Sequence, residues 1–76
     1  MNRIRRKQLQ EIMDKLEELK SDLETLRDEE EEYRDAMPEN LQSSERYEKA
    51  DEAVNNIDSA LDSFDEAINY IEEAMA

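Results

Sequence analysis

The chain has 76 residues, enough for a single domain, with no Gly, no Cys, no His and one Pro, and 43% of its residues are charged. These absences exclude a turn-rich strand fold, a disulfide framework, a thiolate metal site and nucleophilic catalysis assisted by histidine. The net charge of −13 repels phosphate, so nucleic acid is not expected as the direct ligand, and a basic protein surface is the natural partner.

The basic start, Arg3, Arg5, Arg6 and Lys7, is not followed by an uninterrupted apolar stretch. Neither a signal peptide nor a membrane span is expected, and the expected location is the cytoplasm. The first predicted helix covers about residues 3–36 and stops before Pro38, which disfavours helical geometry at Met37. Leu9, Ile12, Leu16, Leu19, Leu23 and Leu26 alternate at spacings of three and four. They define positions a and d of a heptad, which Tyr33 and Met37 extend and Glu30 interrupts. Glu30 reads as a tolerated polar seam residue near the turn, facing Ala50, with Arg46, Lys49, Tyr33 or Tyr47 as its expected partners.

The connection is predicted over about residues 37–43, with Ser43 or Ser44 as the cap of the following helix. That second helix is predicted over about residues 44–74. Its seam is Tyr47, Ala50, Val54, Ile57, Leu61, Phe64, Ile68, Ile71 and Met75. Position e reads Met13, Lys20, Arg27, Arg34 in the first helix and Asp51, Asp58, Asp65, Glu72 in the second. Antiparallel helices bring e against e, so the expected fold is all-α, an antiparallel two-helix coiled-coil hairpin. The end charges agree: a basic start and an acidic finish oppose the dipole of the first helix. A hairpin would lay Arg3 to Lys7 beside Glu72 and Glu73, and the acidic end beside Arg46 and Lys49.

Ala53, Ala60, Ala67 and Ala74 recur every seven residues and widen the apolar face of the second helix. Two helices of this length bury little by themselves. The expectation is a homodimer that closes into a four-helix bundle, or a hairpin that offers this face to a partner.

No residue pattern carries a reaction. Di-iron bundles need Glu-x-x-His pairs and an EF-hand needs a central Gly; both are missing, and the run Glu29 to Glu32 reads as a solvated face. No catalytic, cofactor or metal site is assigned. From Gln10 to Asp35 the outward positions b, c and f hold nine carboxylates and neither Lys nor Arg. Ordinary helices intersperse both signs; here the cations sit at the seam flanks and the outside is uniformly negative. Such a rod imitates a phosphate backbone. The leading expectation is a non-catalytic module that docks on a basic, nucleic-acid-binding protein through Glu17, Glu24, Asp28, Glu31, Glu32, Asp62 and Glu66. The alternative is a structural or assembly coiled coil that acts through its seam and its Ala face.

The basic start from Arg3 to Gln10, the Pro38-Glu39-Asn40 loop and the Ser43-Ser44-Glu45-Arg46-Tyr47-Glu48-Lys49-Ala50 opening of the second helix resemble small acidic helical-hairpin proteins encoded by phages and mobile elements of Gram-positive bacteria. The resemblance implies a hairpin without a catalytic motif. Because some small acidic phage proteins block the nucleic-acid grooves of host defence proteins, it also implies an inhibitor role. The shape is similar as well to antiparallel bundle dimers that bind RNA, but those need a basic or aromatic face where this chain is acidic.

Overall fold

In a computed structural model, which describes residues 1–76, the chain is two long helices folded back on each other. Helix α1 spans Arg3–Asp35 and α2 spans Glu45–Met75, and a single 3-10 turn, Glu39–Leu41, lies between them. There are no strands. The hairpin measures 59 × 15 × 13 Å, and its radius of gyration of 17.3 Å far exceeds the roughly 11 Å of a compact globule of this length.

Each helix begins on a side-chain cap. Asn2 Oδ1 accepts the Arg5 N–H at 2.8 Å, and Ser44 Oγ accepts the Tyr47 N–H at 3.2 Å. Of the two candidate serines the cap is Ser44, whose hydroxyl also donates to the Leu41 carbonyl at 2.6 Å, tying the connection to the start of α2. Acidic Glu45 and Glu48 follow in the first turn, where the dipole favours them. At the other end of the connection the Ala36 and Met37 N–H groups donate to the Glu32 and Arg34 carbonyls before Pro38 takes an extended conformation.

The core is thin. Five residues are buried: Met13, Met37, Ala50, Val54 and Ile68. The α2 seam lies where the heptad predicts it, with Ala50, Val54 and Ile68 buried and Tyr47, Ile57, Leu61, Phe64, Ile71 and Met75 half-buried. Helix α1 differs from expectation. Its position a is inward (Leu9, Leu16 and Leu23 half-buried, Met37 buried), but its second inward column is e: Met13 buried, Lys20, Arg27 and Arg34 half-buried. The expected d column is exposed, Ile12 at 48%, Leu19 at 54%, Leu26 at 57% and Tyr33 at 47%. At 3.6 residues per turn this is a rotation of α1 by about 50° about its axis. Its cause is on the e flank. Three cations there reach across to carboxylates of α2, and their aliphatic stems cover apolar surface as they do so.

Those contacts are the e-to-e pairs that the sequence suggests. Lys20 pairs with Asp65. Arg27 Nε donates to Asp58 at 2.7 Å, with a second, longer contact from Nη2 at 3.5 Å. Arg34 Nη1 donates to Asp51 at 2.8 Å. Seven residues down α1 match seven residues up α2.

The end charges do not pair as expected. No ion pair joins Arg3, Arg5, Arg6 or Lys7 to Glu72 or Glu73, and Met1 to Gln8 are all exposed. The register explains it. Carried one heptad further, it sets Glu72 opposite Met13, which lies about 9 Å inward of Lys7 at 1.5 Å per residue. At the turn, Lys49 pairs within its own helix with Glu45 at 3.2 Å. Glu30 is half-buried and makes neither an ion pair nor a side-chain hydrogen bond with its four expected partners.

Candidate functional site

The rotation of α1 gives the hairpin two unlike flanks. One carries the ion pairs together with positions e, b and f of both helices. The other carries d and g of α1 and g and c of α2.

The first flank is charged throughout. All ten carboxylates of α2 fall at e, b or f, which form one contiguous arc of a helix. On α1 the b column is Glu17, Glu24, Glu31. The seven carboxylates proposed as partner contacts are therefore not equivalent. Glu24, Asp28 and Asp62 border one shallow groove, floored by Lys20, Arg27, Asp58 and Asp65. Asp28, Glu31 and Glu32 meet again in a second open depression with Asp35. Glu17 and Glu66 are exposed outside both grooves.

Three of the seven are partly neutralised within the chain. Glu24 lies 3.7 Å from Lys20, Asp28 lies 3.1 Å from Arg27, and Glu31 bridges Arg27 at 2.7 Å and Arg34 at 3.8 Å. Glu17, Glu32, Asp62 and Glu66 face solvent without an ion-pair partner. Heptad position alone does not separate these two groups. The i,i+4 spacing of Glu24 from Lys20 and of Glu31 from Arg27 marks two of the three, and Asp28 is reached by its sequence neighbour Arg27.

The cations on this flank hold their protons more tightly than usual. Lys20 is raised above its ordinary value by its hydrogen bond to Asp65, against a smaller opposing effect of burial. Arg27 is raised by its hydrogen bonds to Asp58 and Asp28, and Arg34 chiefly by Asp35, with Asp51 contributing. Each cation is thus fixed as a positive charge within its carboxylate surroundings. No group of three or more carboxylates is disposed to hold a metal ion. The surface depressions are open grooves, with no enclosed space in which a pair of carboxyl groups would be driven to different pKa values.

The second flank carries an exposed apolar column on α1, edged by Lys15, Asp22, Glu29 and Ala36 at position g, and on α2 it is free of acid. Position g of α2 is Arg46 followed by Ala53, Ala60, Ala67 and Ala74, and position c is Lys49, Asn56, Ser63 and Tyr70. Ala53 and Ala60 are half-buried, Ala67 and Ala74 exposed, and Tyr70 is 65% exposed. Facing them across the hairpin is the exposed α1 column Ile12, Leu19, Leu26, Tyr33. The strip continues into the turn, where Tyr33, Met37, Pro38, Leu41 and Arg46 line a further open depression. The Ala column is legible in the sequence. The exposed Ile-Leu-Leu-Tyr column is not, because a heptad reading assigns it to the internal seam.

No helix is long and apolar enough to cross a membrane. No protein-family model, curated protein or solved structure matches the chain.

Proposed function

We propose that the chain is a non-catalytic protein-binding module whose acidic flank docks on a basic, nucleic-acid-binding protein. The inhibitor of a host defence protein encoded by a phage or mobile element is the role that suits it best. The observation that carries this reading is the sorting of charge. Lys20, Arg27 and Arg34 are drawn into the inter-helix pairs, while Glu17, Glu32, Asp62 and Glu66 stay unpaired on the outside of the rod. Rows of fixed carboxylates compete for a surface that evolved to hold phosphates.

The test is capture from a host lysate at low and at high salt. The captured protein is then assayed for nucleic-acid binding with the hairpin as competitor. Capture should weaken with salt, and the hairpin should displace the nucleic acid. Glu17→Lys, Asp62→Lys and Glu66→Lys together should abolish both without lowering helicity. Unchanged competition by the triple variant would refute the reading.

A second reading, a structural or assembly coiled coil, is favoured by a separate observation: the Ile-Leu-Leu-Tyr column and the Ala column leave one side of a thin-cored hairpin uncovered.

A further inference from the structure

We infer that the apolar flank is the interface with a second copy of this chain, and that the two hairpins pack antiparallel, the turn of one against the open end of the other. The inference rests on the assembly reading and adds to it the face, the occupant and the orientation.

The face is long enough for the purpose. A flank running along a 59 × 15 Å hairpin matches the roughly 800 Å² per partner of a standard stable interface. In an antiparallel two-fold pair α1 lies over α1 of the second copy and α2 over α2, so the column Ile12, Leu19, Leu26, Tyr33 meets its own reverse while the small Ala columns let the two α2 helices approach closely.

Charge selects the occupant. Two copies of a −13 chain repel each other wherever their carboxylates meet. The apolar flank is the approach on which α2 brings none; on α1 only Asp22 and Glu29, at position g, border it. A basic partner would gain nothing there and is drawn instead to the opposite flank.

Charge also selects the orientation. The turn end, residues 27–52, carries eleven carboxylates against four cations. The open end, residues 1–13 and 66–76, carries four side-chain carboxylates against four cations, and those cations are the unpaired Arg3, Arg5, Arg6 and Lys7. A parallel dimer would stack two acidic turns. The antiparallel dimer sets each acidic turn against the other copy's free basic start, which gives that cluster the partner it lacks within its own chain. The product is a four-helix bundle with its two acidic flanks facing outward on opposite sides.

Sedimentation equilibrium of the pure protein should give twice the 9.0 kDa chain mass, with association tightening as salt rises because like charges are being screened. Partner docking on the acidic flank has the opposite salt dependence. Leu19→Glu with Leu26→Glu should weaken the dimer by roughly a hundredfold or more. Helicity should be kept, because both side chains are over half exposed in the single hairpin. If that variant loses helicity, Ala60→Glu tests the same face from α2. For orientation, Gln8→Cys and Gln42→Cys proteins are mixed and treated with a short bismaleimide; the chain has no other thiol.

The expected product is the mixed 8–42 cross-link. A dimer giving only 8–8 and 42–42 products overturns the orientation and leaves the assembly reading standing. A dimer that survives both the leucine and the alanine substitutions overturns the face. A monomer at every concentration and salt overturns the inference and the assembly reading together.

Discussion

Leu26→Ala and Val54→Ala, measured side by side, report whether the exposed column of α1 is covered in solution. Val54 is 2% exposed at the centre of the hairpin seam. Removing its two methyl groups forfeits about 0.8 kcal/mol each plus a cavity contribution, so the substitution costs about 2 kcal/mol whatever the oligomeric state. Leu26 is 57% exposed. In a lone hairpin it realises under half of the roughly 2.5 kcal/mol of a fully buried leucine, and Leu26→Ala costs about 1 kcal/mol. Beneath a second copy the same truncation costs about 3 kcal/mol per chain, within the range for buried leucines. It then exceeds Val54→Ala, reversing the order. The assay is thermal unfolding followed by circular dichroism over a roughly hundredfold range of protein concentration, since the melting temperature of a dimer rises with concentration. For a domain of this size 1 kcal/mol moves the midpoint by about 4–8 °C, so the two orders are well separated. A Leu26→Ala cost of about 1 kcal/mol, with a midpoint independent of concentration, would refute the reasoning.

Three further predictions concern the seam. Lys20 has its folded-state pKa raised above 10.5, chiefly by Asp65. Its contribution is therefore complete below 10.5 and lost as pH climbs through the folded value. The melting temperature should fall in that alkaline range, and Lys20→Arg should remove the part of the fall that belongs to this residue, because a guanidinium stays charged there. Arg27→Asp and Asp58→Arg should each lower the melting temperature, and the double exchange should recover much of the loss; a double variant no better than the worse single one would show that the pair is incidental. Glu30→Leu should raise stability by about 1 kcal/mol, since it replaces a half-buried carboxylate that has no ion-pair partner with apolar surface, and urea titration would measure it.

The hairpin, its caps and its e-to-e pairing were legible because each depends on local signals: a three-four apolar spacing, Pro38 with a serine after it, and opposite charges in matched columns. The rotation of α1 was not, because a hydropathy reading treats Leu19 and Leu26 as core and Lys20 and Arg27 as surface. In three dimensions the long stems of Lys20, Arg27 and Arg34 cover the seam while their charged ends reach α2, and the leucines on the other side of position a turn outward. The same blindness hid the exposed apolar column of α1, since an exposed d column cannot be told from a buried one by spacing. The misplaced end charges have a related origin. A column of charges fixes which faces meet, whereas the axial offset between Lys7 and Glu72 depends on how the connection is built. Among the carboxylates proposed for partner contact, heptad position does not distinguish Glu31, which bridges Arg27 and Arg34, from Glu66, which bridges nothing.

The repetition of the inter-helix pairs has a cost in uniqueness. Lys20, Arg27 and Arg34 are interchangeable in kind, as are Asp65, Asp58 and Asp51, so sliding α2 by one heptad re-forms two of these pairs with new partners in one direction and, with Glu72 joining the column, all three in the other. The ladder resists a slip of one or two residues and barely resists a slip of seven. What singles out one alignment is the turn: Pro38, the Ser44 cap closed onto Leu41, Met37 buried beneath them, and Ala50, 3% exposed, which leaves no room for a larger side chain at that level. Cutting the chain there, or lengthening the connection with a flexible insert, should yield an equilibrium among alignments offset by whole heptads rather than an unfolded chain. The same latitude would let the helices of two copies exchange.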